Sequence, residues 1–369
     1  MEIRNLIQYA KEHPELINLR RWTNKKIIKL NYTKQCQYSK DNWNEYTEQS
    51  RGIILNEETN KIVSNCFKKF WNVGEIPKTE INNLPKCKYE ITNKEDGVLI
   101  IPFIYDNKVY LSTRGSFEST SSNFDFIGMA SKLINENFIL FYPSYSFLFE
   151  LVSPLFHEAD FLIKDYNEEA LILIGVVETE SGRVLNYHEI CKLIIDYRIQ
   201  KQGVVDVIMN YDDFYIKIKT VMFNPLSISE LMKLKEERRT ENKDDEGWVI
   251  LFENGLMVKI KRDQYVDLLF HIRKPKLRRM VNQKLSVNDI KGALALFEEE
   301  EVMEIRKESI ERLNQVNLVY DSLKHLTKRD FAFEVLKNYT EVSDLLFSCY
   351  NNKDLNNLLI KKIIKEKLN

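Results

Sequence analysis

The sequence predicts an α+β protein: a body of antiparallel and mixed sheets with flanking helices, residues 1–265, then an all-helical C-terminal domain, residues 266–369. Three observations carry that prediction. From about Lys26 to Lys261 the chain alternates strand-length apolar runs with helical stretches. Polar turn segments, "NEETN", "DNK" and "ENG", join several of those runs as hairpins rather than as βαβ crossovers. After Tyr265 no convincing strand follows, and Ile290, Leu294, Phe297, Ile305, Leu313, Val316, Tyr320 and Leu323 recur at roughly helical intervals.

Taken in order, "MEIRNLIQYAKEHPEL" reads as a short amphipathic helix. "KKIIKLNY", "RGIILN" and "KIVSNCF" follow as strands. Strand candidates Lys88 to Thr92 and Val98 to Tyr105 flank Lys94-Glu95-Asp96-Gly97, which therefore reads as a hairpin turn. "KVYLSTR", "SFLFELV" and "ALILIGVVET" continue the pattern. Glu246-Gly247 opens "GWVILFE", a turn falls at Glu253-Asn254-Gly255, and "LMVKIKR" returns with Lys259 and Lys261 on one face and Ile260 on the other. Pro275 and the cationic run "HIRKPKLRRM" mark the expected domain junction.

Composition narrows the function class. With 54 basic against 55 acidic residues, the net charge of -1 excludes a polycation that coats nucleic acid indiscriminately. Any RNA contact must come from a local basic surface, for which "RKPKLRRM" is a candidate. The five cysteines, Cys36, Cys66, Cys87, Cys191 and Cys349, show neither CxxC nor zinc spacing, so buried thiols in a reducing compartment are expected. No apolar run reaches the length of a membrane span. The expectation is a cytoplasmic protein, in the host cytoplasm if it is viral. Neither GxGxxG nor GxxxxGK[ST] occurs, which disfavours Rossmann and P-loop sites.

The chemistry is signalled by lysines. A lysine amine is a nucleophile only when neutral, and burial or neighbouring cations favour that form. Lys-x-Asp-Gly alone is a weak motif, and a solvated turn explains it as well. Glu150 inside the apolar "FLFELV" and two lysines side by side on a returning strand make the joint pattern harder to dismiss. Two like charges on an apolar strand cost energy unless an anion sits between them, although edge strands also carry lysines against aggregation.

These blocks resemble the covalent nucleotidyltransferases, the polynucleotide ligases and capping enzymes, and within them the T-even phage RNA ligase 1 family. "KEDG", "STRGS", "FLFELV", "EGWVIL" and "VKIK" match its motifs in order, and "RGIILNEETNKIVSNCFKKFWN" resembles its block ahead of the nucleophile. "KRDFAFEVLKN" is loosely similar to part of its helical C-terminal domain. The absence of strands after the fifth motif favours the RNA ligases over branches that end in an OB-fold. The resemblance implies an ATP-grasp-like nucleotidyltransferase fold and an ATP-dependent RNA ligase. It would join 5′-phosphate and 3′-hydroxyl RNA ends through lysyl-AMP and RNA-adenylate, in RNA or tRNA repair. Implied with it are ATP, magnesium or manganese, an RNA substrate (tRNA among the candidates), a polynucleotide kinase-phosphatase as a candidate companion, and a monomer.

Carried over by resemblance, Lys94 is the nucleophile, Lys259 and Lys261 clamp the α-phosphate and favour neutral Lys94, and Asp96 sits by the reacting phosphate. Arg51 and Lys69 hold the triphosphate tail, with Glu95 and Gly97 beside the nucleotide. Glu150 takes the ribose, Arg114 a basic contact to nucleotide or RNA, and Tyr265 the adenine pocket. Glu246 binds the nucleotide and the metal. Trp71 is a base-stacking ring or simply core, and either Tyr32 or Tyr38 takes a tyrosine contact. His157 and His188 have no partner at metal-ligand spacing and read as structural or surface residues. The rivals are a DNA ligase, a capping-type guanylyltransferase, and a non-catalytic RNA-binding relative.

Overall fold

The computed structural model describes residues 2–22, 25–37, 40–118, 124–159, 161–209, 217–222, 226–237, 245–269 and 299–368. The chain divides into two compact units, Met1–Phe270 and His271–Asn369. "HIRKPKLRRM" and Ile290, Leu294 and Phe297 lie outside the described residues, as does Tyr38.

The first unit contains three sheets. One is antiparallel, β1 (Ile17–Arg21), β2 (Ile27–Tyr32), β3 (Arg51–Asn56) and β4 (Lys61–Ser64), in that order. Helix α1 (Ile3–Glu12) lays Leu6, Ile7 and Ala10 on its outer face, against Ile28, Leu30, Ile53 and Leu55. Helices α2 (Lys34–Gln37) and α3 (Glu45–Gln49) follow β2. Asn44 caps α3 by accepting from the Tyr46 and Thr47 amides, while Thr47 returns the bond to the Asn44 amide.

The second sheet comprises β7 (Val98–Tyr105), β8 (Lys108–Thr113), β9 (Tyr145–Val152), β10 (Ala170–Glu178) and β11 (Lys217–Ile218). Their spatial order is β11-β10-β9-β7-β8, with only β11 parallel to its neighbour. The β7–β8 turn works because Asp106 and Asn107 both take positive φ, 49° and 58°, as a primed two-residue hairpin requires. Helices α4 (Phe126–Ser131), α5 (Glu136–Phe141), α6 (Pro154–Glu158) and α7 (Tyr187–Met209) supply Phe126, Phe138, Phe156 and Ile190 to the core over one face. The other face packs Ile101, Phe103, Leu148 and Val177 against Ile27, Ile54 and Phe67.

The third sheet is β5 (Trp71–Asn72), β13 (Met257–Lys261), β12 (Gly247–Phe252) and β6 (Tyr89–Asn93), in that order. Its period-2 alternation separates two chemistries. Trp248, Ile250, Val258 and Ile260 face helix α8 (Ile228–Glu236) in a buried cluster around Leu231. Val249, Leu251, Met257, Lys259 and Lys261 face the other way and line a cavity.

One expectation is overturned here. β6 and β7 do not pair: β6 pairs with β12, and β7 with β8 and β9. Lys94–Gly97 is therefore a crossover between two sheets rather than a hairpin turn. The flanking strands each find partners distant in sequence, which alternation along the chain does not reveal.

In the second unit the described residues form α9 (Glu299–Leu323), α10 (Lys328–Asn338), α11 (Ser343–Tyr350) and α12 (Leu355–Leu368). They pack around Val316, Phe331, Val335, Leu345, Leu346 and Leu359. Thr327 caps α10 by accepting from the Asp330 amide.

Candidate active site

The crossover brings Lys94 to the end of the third sheet, where its amide donates to the Gly247 carbonyl at 2.8 Å. Its Nζ lies 2.6 Å from Glu246 Oε2, and Lys261 Nζ lies 2.8 Å from Glu246 Oε1. One buried carboxylate thus bridges two ammonium groups. Burial alone would raise the Glu246 pKa, but the charges of Lys94 and Lys261 outweigh it and hold it below the usual carboxylate value.

Lys94 shows the same balance with the sign reversed, and this corrects the expectation that Lys259 and Lys261 favour its neutral form. Burial pulls its pKa down, but Glu246, Glu150 and Asp96 together push it above an ordinary lysine. The depression falls on Lys259 instead. Burial first, then the charges of Lys69, Lys261 and Lys94, bring it to about 7. Three carboxylates surround the nucleophile candidate, whereas Lys259 faces mainly cations.

The crossover is held from outside by residues 161–166. Asp96 Oδ2 accepts from the Ile163 and Lys164 amides at 3.0 and 3.2 Å. The Tyr166 hydroxyl accepts from the Asp96 amide at 3.0 Å and donates to Glu95 Oε2 at 2.9 Å. Lys164 Nζ reaches Glu95 Oε2 at 3.4 Å and Asp245 Oδ1 at 3.5 Å. Gly97 lets this turn press on β9: a Cβ there would stand 2.5 Å from the Leu151 carbonyl oxygen and 2.7 Å from Glu150 Cγ.

Between the second and third sheets lies a cavity of about 530 Å³. Arg51, Lys69, Arg114, Lys259 and Lys261 line it together with Lys94, Glu95, Gly97 and Glu150. Lys69 Nζ rests 4.4 Å from the Trp71 ring centre and 5.0 Å from that of Trp43. Arg51 lies over Phe70, and Arg114 donates to the Tyr32 hydroxyl at 3.0 Å. Aromatic faces thus position these cations without neutralising them. Glu150 is pushed up to about 7, by burial first, with Glu246 and Asp96 adding to it and Lys94 and Arg51 opposing.

A family model described as RNA ligase matches residues 49–265, more than half of the chain and nearly all the elements that build this cavity. The chain belongs to that RNA ligase family. A Thermovibrio ammonificans protein named "Putative RNA ligase" is 31% identical over 137 residues, 37% of this chain and 35% of the relative. The chain thus spans about a third of the length of that curated relative. Among solved structures, an archaeal ATP-dependent RNA ligase superposes with a TM-score of 0.48 at 14% identity, covering 75% of this chain and 67% of its own. A Naegleria gruberi RNA ligase solved with ATP and manganese gives 0.39 at 14% identity, over 55% and 57% of the two chains.

Not every residue that the family resemblance nominates faces the cavity. Asp96 is outside its lining, since its carboxylate is committed to the 163–164 amides. Tyr265 is also outside it and buried, with Lys261 Nζ 5.6 Å from its ring centre. An aromatic four residues after Lys261 is placed there by the helical stretch 263–269, which buries it outside the cavity lining. Trp71 is likewise buried, its indole N–H donating to Glu48 Oε1 at 3.3 Å. Tyr32 lines the cavity. His157 bonds the Ile163 carbonyl oxygen through Nδ1 at 2.8 Å, a structural role, and His188 is exposed.

Three residues escaped the sequence reading. Tyr166 and Lys164 sit in a loop whose sequence, "FLIKDYNEE", carries no motif. Lys219 lines the cavity while almost fully buried, its Nζ 3.3 Å from Glu90 Oε1. The one available signal was Glu90 between Tyr89 and Ile91, a charged residue in an apolar strand that needs a partner.

Proposed function

We propose that the protein is an ATP-dependent RNA ligase that joins a 5′-phosphate to a 3′-hydroxyl and acts in RNA repair, with tRNA among its candidate substrates. The observation that carries this reading is the Lys94–Glu246–Lys261 arrangement at the edge of a cavity lined by Arg51, Lys69 and Lys259. An amine beside a set of cations suits attack on a polyanionic phosphate ester.

In the first step Lys94 Nζ, having released its proton to solvent, attacks the α-phosphorus of ATP. The N–P bond forms, the bond to the bridging oxygen breaks, and pyrophosphate leaves. A 5′-phosphate oxygen of RNA then attacks the adenylyl phosphorus, and Lys94 departs, taking up a proton. Finally the 3′-hydroxyl, giving its proton to solvent, attacks the activated 5′-phosphorus, the bond to the bridging oxygen breaks and AMP leaves. Each step is a displacement at phosphorus, so the protein contributes positioning and charge. Arg51, Lys69 and Lys259 would bind phosphate oxygens. Lys261 would keep Glu246 ionised after Lys94 has turned to the substrate.

Among the described residues no three metal-type side chains converge. Magnesium or manganese would therefore be held mainly by nucleotide phosphates and water, with Glu246 and Glu150 as the protein carboxylates at that place. When bound, the ion supplies charge neutralisation at phosphorus. It would also offset the carboxylates that keep Lys94 protonated.

The test is mass spectrometry of the purified protein with magnesium and ATP or GTP, looking for one nucleotide on Lys94. Sealing of single-stranded 5′-phosphate RNA against nicked duplex DNA then identifies the acceptor. Lys94→Ala is expected to abolish the adduct while sealing of pre-adenylylated RNA persists. A Lys94→Ala protein still labelled by ATP would refute the assignment, and labelling by GTP instead would favour a capping-type enzyme.

A further inference from the structure

The cavity wall contributed by the third sheet works as a ruler. Lys94 joins it at Gly247, the row that also holds Lys261. The next inward-facing row is Lys259, Val249 and Thr92, and the one beyond is Met257, Leu251 and Glu90. Gly247 and Leu251 are four residues apart, roughly 13 Å at strand rise, on the scale of a nucleoside monophosphate measured from phosphorus to the far edge of its base. The lining changes accordingly. Near Lys94 it is cationic, and towards the third row it becomes Val249, Leu251, Met257 and, from the facing sheet, Ile174. An apolar slot between two sheets suits a flat base.

One charge interrupts that slot. Lys219 follows β11, its amide donating to the Leu173 carbonyl at 3.1 Å, so its place is beside Ile174. The Asn93 amide donates to the Thr220 carbonyl at 3.1 Å, and Thr92 bridges to Val221, so the segment also closes onto β6. The Lys219 side chain is 7% exposed, and Nζ reaches Glu90 Oε1. Glu90 Oε2 accepts from the Tyr187 amide at 2.8 Å, which fixes the carboxylate from behind. An ammonium has three donors, and a buried one is costly to leave partly unmatched.

We infer that Lys219 is a specificity-determining residue that reads the nucleobase, donating a hydrogen bond to N1 or N7 of the purine. The inference rests on the nucleotidyl-transfer reading above and adds the residue that selects the base. A site built to donate penalises a base lacking the acceptor, because the buried donor is then left unmatched. Although its backbone runs beside Asn93, Lys219 Nζ meets Glu90 in the row far from Lys94, so its effect falls on nucleotide capture rather than on the bond-making step.

The experiment measures the rate of Lys94 adduct formation at subsaturating nucleotide, using ATP, 1-deaza-ATP and 7-deaza-ATP, for wild type, Lys219→Met and Lys219→Gln. Wild type is expected to lose about tenfold or more with one of the two deaza analogues. Lys219→Met is expected to lose a similar factor with ATP itself and nothing further with that analogue. Lys219→Gln, which keeps a donor, is expected to restore part of the discrimination. Equal discrimination by wild type and both variants, with thermal melting showing them folded, overturns the inference and leaves the proposed ligase function standing. No adduct from wild type with any of the three nucleotides overturns both.

Discussion

Lys94 Nζ and Glu246 Oε2 are 2.6 Å apart, and the same carboxylate holds Lys261 through its other oxygen. In this form the nucleophile candidate is a charged partner in a part-buried ion pair, stabilised as the ammonium by Glu246, Glu150 and Asp96 against the effect of burial. Its reactivity is therefore gated by whatever draws Glu246's charge away from it.

Glu246→Gln removes that charge and keeps one acceptor. The Lys94 pKa should then fall relative to wild type, because burial continues to favour the neutral amine while the strongest opposing charge is gone. Peptide mass spectrometry of Lys94 acetylation across pH reads this directly: modification should begin at lower pH in the variant. Adduct formation with ATP should nevertheless drop, since Glu246 also orients Lys94 and Lys261. An unchanged acetylation profile would show that Glu246 does not set the protonation of Lys94.

Tyr166→Phe tests the outer brace of the crossover. The change deletes a bond to Glu95 and leaves the Asp96 amide without its acceptor. A loss of about 1–3 kcal/mol in unfolding free energy is expected for a buried donor left unsatisfied. Slower adduct formation should accompany it, visible in kcat more than in KM, because the brace positions Lys94 without lining the cavity. Wild-type kcat in a destabilised Tyr166→Phe protein would mean the brace serves only folding.

Two glycines at the site differ in what a methyl group would meet. At Gly97 the added Cβ would press on the Leu151 carbonyl and on the flexible Glu150 side chain. At Gly247 it would stand 2.1 Å from the Ile260 carbonyl oxygen, at a φ of +134° that side chains rarely adopt. Gly247→Ala should therefore be the more damaging, costing more than the 1–3 kcal/mol or so typical of overpacking. Denaturant unfolding of both variants checks the order.

Much of this site was legible in the chain because its residues lie in strands with period-2 spacing. Lys259 and Lys261 share the cavity face, and Ile260 is buried behind them, as alternation requires. The resemblance supplied Arg51 and Lys69, which no spacing argument would have joined to Glu150 and the lysines. The sheet partners were not legible. β6 and β7 are neighbours in sequence and belong to different sheets, because strand pairing is decided by long-range burial. The direction of the Lys94 shift was missed for a related reason. Sequence shows which charges exist, and only the fold shows that three carboxylates lie closer in effect than two lysines. Lys219 and Tyr166 sit in segments without a motif, where partnership with Glu90 and Glu95 exists only in three dimensions.

Lys259 gives the site a pH dependence of its own. With a pKa lowered to about 7, it is charged below that value and increasingly neutral above it. A phosphate ligand needs the charged form, so affinity should weaken as pH rises through 7. Lys259→Arg stays charged throughout that range and should not follow. The ratio of wild-type to Lys259→Arg affinity for pyrophosphate cancels the ligand's own titration, and it should fall by about tenfold between pH 6 and pH 8. Binding should also recharge the lysine. Wild type should therefore take up close to one more proton than the arginine variant at pH 8, measurable by calorimetry in buffers of different ionisation enthalpy. A constant ratio with equal proton uptake would mean that Lys259 is already charged in the free protein, and that burial among Lys69, Lys94 and Lys261 is compensated by something outside the cavity.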